Sequence, residues 1–246
     1  TRFKCDWSSD VCSSDLSKKQ FHIRFLKLKK SVIRDNEIIP HEPGFCFEHT
    51  EDKIGHLTSL LNYINSHEKI IGLCAYGISV NGVDLSGKKF YGCNFQHSTF
   101  SNIHSTDLKF KICTLDFSTF SDCDMLNSDI QFSSFSGSKF IHVVFTGSDL
   151  VHNNYNGITA YQCSFDDSDF YNSRFIRAIL MNTSMKNCNL KKAIFYNSAR
   201  EHVSFKLSNT REALIDRNKS GLIEDFSESE GEDEDRKSTR LNSSHT

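Results

Sequence analysis

The groups in this 246-residue chain that could do chemistry are eleven histidines, nine cysteines and 31 acidic residues. Cys46 and His49 stand at the C-x-x-H spacing of half a zinc site, but no second pair follows to complete a tetrahedral ligand set. The phosphate-cradling G-x-x-x-x-G-K-S/T, the nucleophile elbow G-x-S-x-G and the metalloprotease H-E-x-x-H are all missing from the sequence. His97, His104, His142, His152 and His202 are scattered, with no spacing that would make them converge. Cys46, Cys74, Cys93, Cys113, Cys123, Cys163 and Cys188 are odd in number and widely separated, which suits a reducing compartment better than a disulfide framework. The expectation is a protein that is not an enzyme: no catalytic residue, no metal, no cofactor and no small-molecule substrate.

Composition narrows the remaining classes. A formal net charge of −2 gives no global field toward nucleic acid or an anionic membrane. No apolar run reaches the roughly 18–20 residues that span a bilayer, so a cytoplasmic protein with no membrane span is expected. The 21 phenylalanines against two prolines are unusual and point to a short repeat.

Written in fives from residue 91, the chain reads YGCNF QHSTF SNIHS TDLKF KICTL DFSTF SDCDM LNSDI QFSSF SGSKF, and it continues in register to EHVSF. Of the 25 positions numbered by multiples of five from 85 to 205, 22 carry Leu, Phe, Met, Ile or Tyr; the exceptions are Ser105, Ala160 and Arg200. Two residues before each lies a mostly small column of Ser, Cys, Ala and Thr. Between the two runs a polar column that includes Asp84, Asn94, Asp124, Asp129, Asp149 and Asp169. An α-helix of 3.6 residues per turn cannot hold a five-residue column on one side, whereas extended backbone sends i and i−2 to the same face.

This pattern, A-(D/N)-L-x-x, resembles the pentapeptide-repeat family. The resemblance implies an all-β solenoid, a right-handed quadrilateral β-helix with one repeat per side and four per coil. Residues 81–207 would make about six coils spaced near 4.8 Å. Large i side chains would fill the axis, with small i−2 side chains fitting beside them, so five of the cysteines become compact core residues.

The flanks do not obey the period. Residues 17–80 are expected to form a small α+β cap, with a basic, apolar-interleaved FHIRFLKLKK (21–30) and a helix over 51–66 whose apolar face is Ile54, Leu57, Leu60, Leu61 and Ile64. Within 208–234, residues 211–226 are expected to lie as a short helix over the last coil, before the acidic SESEGEDE of 227–234. Residues 6–15 (DWSSDVCSSD) and 235–245 (DRKSTRLNSSH) resemble the two translated strands of one sequencing adapter, so 1–16 and 235–246 are set aside as scar.

The functional expectation is a non-enzymatic bacterial scaffold or protein-binding module acting through outward residues. Ile141, Tyr161 and Met181 would share one side, Ile176 and Tyr196 another, and Val151 and Tyr171 a third, as a surface for a protein partner or self-association. Some pentapeptide-repeat proteins imitate DNA with an acidic rod and modulate topoisomerases. Residues 81–207 hold 11 Asp plus Glu against 12 Lys plus Arg, which lacks the dense negative field such mimicry needs. Nucleic acid is not the expected partner. A secreted bacterial effector is a further alternative that the residues leave open.

Overall fold

The computed structural model describes residues 53–216 and 224–225. All belong to the compact unit Cys46–Thr246; the other unit, Thr1–Phe45, lies outside the described residues. The adapter-like ends, the 21–30 segment and the Cys46/His49 pair lie outside them too.

Helix α1 (Lys53–Ser66) precedes the repeats and buries Leu60 and Ile64, while Ile54, expected on its apolar face, is 82% exposed. The Lys88 ammonium donates to the carbonyls of Asn65 and His67, closing off the end of α1 where backbone acceptors and the helix dipole favour a cation.

From Lys69 onward the backbone is extended for a few residues and then bends, once in every five. The bend falls two residues after each large side chain, where φ is left-handed: 57° at His97, 57° at Asp107, 53° at Asp122 and 56° at Asn172. Each segment pairs in parallel with the segment twenty residues later, as in Val80↔Phe100, Phe100↔Phe120, Phe120↔Phe140, Phe140↔Ala160, Ala160↔Leu180 and Leu180↔Arg200. Four bends per twenty residues close a four-sided coil, and the ladder climbs about seven turns.

For reference, side one is centred on Phe90, Phe110, Ile130, Leu150 and Phe170. Side two is centred on Phe95, Leu115, Phe135, Tyr155 and Phe175, side three on the Phe100-to-Arg200 ladder, and side four on Met125, Phe145, Phe165 and Met185. The axis is a column of stacked rings. Phe100 and Phe120 lie 5.0 Å apart at 6°, Phe120 and Phe140 5.1 Å apart at 7°, and Phe175 and Phe195 4.6 Å apart at 2°. Burying each such ring contributes roughly 1.5–3 kcal/mol.

The small column is a hydrogen-bond device. Ser118 Oγ accepts the N–H of Ser98 at 3.1 Å and donates to the Phe95 carbonyl at 2.8 Å; Ser138 repeats this with the Ser118 N–H and the Leu115 carbonyl. Each buried hydroxyl thus satisfies two backbone groups that a narrow, water-free core would otherwise strand.

The structure differs from the sequence expectation at both ends of the ladder. The ladder begins at Lys69, inside the segment expected to be cap, and the described chain runs on past 207 through a paired segment at Leu214–Ile215. This accounts for about seven coils where six were expected. The first coil escapes the pattern because its roles are exchanged: Ala75 stands at i and Leu73 at i−2, both buried. The same exchange explains two of the broken positions, since Ser105 is flanked by buried Ile103 and Leu108, and Ala160 follows buried Ile158. Where i shrinks, i−2 grows. The helix expected over 211–226 is not what the described part of that segment forms: Leu214–Ile215 pairs with Ile194–Phe195, and Glu224–Asp225 pairs with Val203–Ser204.

Candidate interaction surface

The inward cysteines are core residues. Cys93, Cys113, Cys123, Cys163 and Cys188 are buried and free, and their thiols face carbonyls one coil earlier, as Cys188 Sγ does at 3.1 Å from Phe165 O. Burial pushes the Cys163 thiol up to about 11 and the Cys188 thiol up to about 12, away from the thiolate that nucleophilic chemistry needs.

The histidines are spread over the rod, with His142 and His202 on one corner three coils apart. His142 lies between the Asp122 carboxylate (3.0 Å) and Gln162 Oε1 (2.8 Å), two acceptors that raise its basicity. His104 meets Asp124 at 2.9 Å on side four. Residues His97 and His152 stack on Phe117 (5.2 Å) and Phe132 (4.9 Å) at different corners.

The polar column is used by the fold. On side one, Asp129 takes Lys109 and Lys111 at 2.7 Å each, and these cations hold its carboxyl below the usual range against the opposing effect of burial. Its neighbour Asp149 shifts upward, chiefly through burial and then through the charges of Asp129 and Asp169, although Gln131 donates to it. On side two, Asp116 accepts from Ser134 Oγ (2.5 Å) and the Ser136 N–H (2.8 Å), tying two coils together.

Among the charged outward positions stand several apolar ones. Tyr161 lies in register with Ile141 on one side and Met181 on the other, so these three do form one column on side three. The N–H of Arg177 reaches the carbonyl of Tyr196 at 3.0 Å, which puts Ile176 and Tyr196 on successive coils of side two. The His152 N–H reaches the Tyr171 carbonyl at 3.0 Å, which does the same for Val151 and Tyr171 on side one. The columns stand on three sides. Tyr161 is 38% and Tyr196 53% exposed, while Ile141, Val151, Tyr171, Ile176 and Met181 are half-buried.

Other exposed apolar groups escaped the sequence reading. Ile179 (43%) and Leu214 (62%) occupy the column before i, where the repeat usually puts a polar residue. Phe117 (55%) and Phe132 (45%) stand at corners with left-handed φ of 58° and 52°, and Ile112 at 57°. Bulky side chains are strained there. The available signal was the five-residue register itself: in the corner column, where Gly, Asn and Asp recur, these three and Leu207 (51% exposed, φ of 62°) depart from the rule.

A four-sided coil of parallel rungs with a five-residue period defines the class: the chain carries pentapeptide repeats and folds as a right-handed β-helix. The family model described as Pentapeptide repeats matches residues 161–198 in 8 copies. Among solved structures, trypsin-treated QnrB1, described as a plasmid-mediated fluoroquinolone resistance protein, is similar at 16% identity and a TM-score of 0.47, covering 71% of this chain and 97% of that one. The pentapeptide repeat protein Rfr23 from the cyanobacterium Cyanothece 51142 is similar at 11% identity and a TM-score of 0.30, covering 66% and 97%. A pentapeptide repeat protein of the Arabidopsis thaliana thylakoid lumen covers 50% of this chain and 68% of its own at 20% identity, with a TM-score of 0.29. The curated proteins gave no match. Among the described residues, no helix is long and apolar enough to cross a membrane.

Proposed function

We propose that this protein is a non-catalytic binding module, a stiff rod whose outward side chains engage a protein partner. The observation that carries this reading is the exposed apolar set on the later coils of sides two and three, Tyr161, Ile179, Tyr196 and Leu214. These side chains stand on a backbone that every rung fixes by parallel pairing, so little conformational freedom remains to be lost on binding. Aromatic and aliphatic groups presented in this way are the usual anchors of protein interfaces.

The test compares wild type with Tyr161→Lys and Met181→Lys in one chain, by sedimentation and by cross-linking to captured partners. Loss of association with an unchanged melting temperature is expected. Association that survives both lysines would refute this reading of side three, and unchanged sedimentation together with the absence of any cross-linked partner would refute the binding module itself.

A further inference from the structure

We infer that the last coils of side two, with the adjoining edge of side three, dock an acidic peptide segment bearing apolar side chains, supplied by a partner protein. The inference rests on the proposed reading of the rod as a protein-binding module and specifies what that module recognises.

The surface is built from two columns and a corner. Arg174, Ile194 and Leu214 follow one another on successive coils, joined by the Arg174↔Ile194 bridge and the Ile194↔Leu214 pair. Ile176 lies two residues beyond Arg174. The chain then turns at Arg177, with φ of 57°, and Ile179 opens side three with Met181 beyond it. Apolar side chains thus continue around the corner from Leu214 and Ile176 to Ile179 and Met181, with two guanidinium groups set among them.

Charge decides the occupant. Arg174 and Arg177 are exposed, and among the described residues neither is paired with a carboxylate. Lys192, at the opposite corner of side two, lies 5.7 Å from the Tyr171 ring and is itself paired with Glu212, so the two arginines carry the unpaired charge. The acids nearest in the fold are engaged elsewhere. Asp216 is held by the Arg200 guanidinium at 3.2 Å and by the Asn197 N–H, and Glu212 lies between Lys191 at 3.4 Å and Lys192 at 3.7 Å. Glu201, in register with Met181, has His202 at 4.0 Å. A basic partner would be repelled, and a purely apolar one would leave the guanidinium groups unmatched. An acidic segment with Leu or Phe side chains satisfies both features, because a carboxylate accepts the planar guanidinium fork in two hydrogen bonds. The guanidinium at residue 177 also occupies a left-handed corner, where Gly or Asn would be free of strain, so the fold alone does not select it.

The probe is a fluorescent synthetic peptide of about a dozen residues built from Asp, Glu, Leu and Phe, titrated into the full chain. The control peptide carries Lys in place of every acid. Saturable binding of the acidic peptide alone is expected. It should weaken at least about tenfold in Arg174→Glu/Arg177→Glu, and again as salt rises and screens the pairs. Both arginines are outward, so that variant should melt like wild type; Arg174→Gln/Arg177→Gln provides a milder check. No binding by the acidic peptide, or equal binding by the lysine control, overturns the inference. Binding that appears only once residues 226–246 are removed identifies the chain's own acidic run as the occupant and overturns it as well. If the peptide fails while Tyr161→Lys still abolishes association, only this inference falls; if association is also absent, the binding-module reading falls with it.

Discussion

Arg200 occupies an axial position that the repeat reserves for a large hydrophobe, and it is 0% exposed. Its guanidinium donates to the Phe195 carbonyl (3.2 Å), Ser198 Oγ (2.5 Å), the Asp216 carboxylate (3.2 Å) and the Asp216 carbonyl (3.0 Å). Asp216→Ala removes the carboxylate that accepts from the Arg200 guanidinium and from the Asn197 N–H, leaving the cation buried without its counter-charge, a loss of about 2 kcal/mol or more. For a chain of this size that lowers the melting temperature by about 4–8 °C. Arg200→Leu should do much less harm, within about 1 kcal/mol of wild type. Leucine continues the Ala160–Leu180 stack, and the Phe195 carbonyl keeps Ser198 Oγ at 2.7 Å. Thermal melts give the magnitude, and hydrogen exchange locates it, because solenoid coils contact only their neighbours and protection should fall first around residues 195–205. The pH dependence carries its own sign. Burial pushes the Asp216 carboxyl up, but the Asn197 N–H and the Arg200 guanidinium outweigh it and hold it below 3.8. Its stabilising effect is therefore present above the ordinary carboxylate range and lost as pH falls through the depressed value, so Asp216→Ala should flatten that acid limb. A neutral Asp216→Ala, or an Arg200→Leu more damaging than it, would refute the view that this arginine is a charged plug held by its partners.

Other perturbations follow from the same geometry. Asp149→Asn should raise the denaturant midpoint at neutral pH. Burial and the neighbouring charges of Asp129 and Asp169 lift this carboxyl above 3.8, so wild-type stability declines as pH rises through the lifted value, and the variant should lose that decline. Gly137→Ala should destabilise more than Gly87→Ala, by about 1 kcal/mol or more. Both have φ of +68°, but the added Cβ at 137 would meet the Phe117 ring at 2.7 Å and the one at 87 meets nothing, as paired urea melts would register. Ser118→Ala should lose about 2 kcal/mol in the same assay by stranding the Ser98 N–H and the Phe95 carbonyl. Phe132→Asn should be stabilising by up to about 1 kcal/mol, because relief of left-handed strain exceeds the lost stacking on His152; a destabilised variant would contradict the strain argument.

The period and the small inward column with its cysteines were legible in the sequence, because they depend on side-chain size; the four-sided coil and its axial stacks followed from the resemblance to pentapeptide repeats. The beginning of the ladder was not. Leu73 and Ala75 fill the same cross-section as the usual small-then-large pair but in the reverse order, and a column search scores each position separately where packing constrains their sum. The buried pair Asn153 and Tyr155 was hidden for a related reason. The Asn153 amide donates to the Tyr155 hydroxyl at 3.2 Å and to the Ile130 carbonyl at 2.7 Å, so a polar residue serves in the small column as serine does. The candidate columns at Ile141, Tyr161 and Met181 followed from the twenty-residue stacking. Ile179 and Leu214 did not, because they stand where the repeat asks for Asp or Asn.

The corner column separates fold from function most cleanly. Inward positions are dictated by volume, and the positions before and after i tolerate almost any side chain, so an apolar residue there carries modest information. At the corner the backbone is left-handed whatever the residue, which favours Gly, Asn and Asp and disfavours branched or bulky groups. Asn102, Asn127, Asn172, Asn182, Asn187 and Asn197 obey this preference. Ile112, Phe117, Phe132, Arg177 and Leu207 violate it, and the first four of these stand at corners that border side two. Phe117 and Phe132 offset part of this strain by stacking on His97 and His152 of the preceding and following coils. Side two, bordered by four of these five corners, is the side that carries the docking surface inferred above.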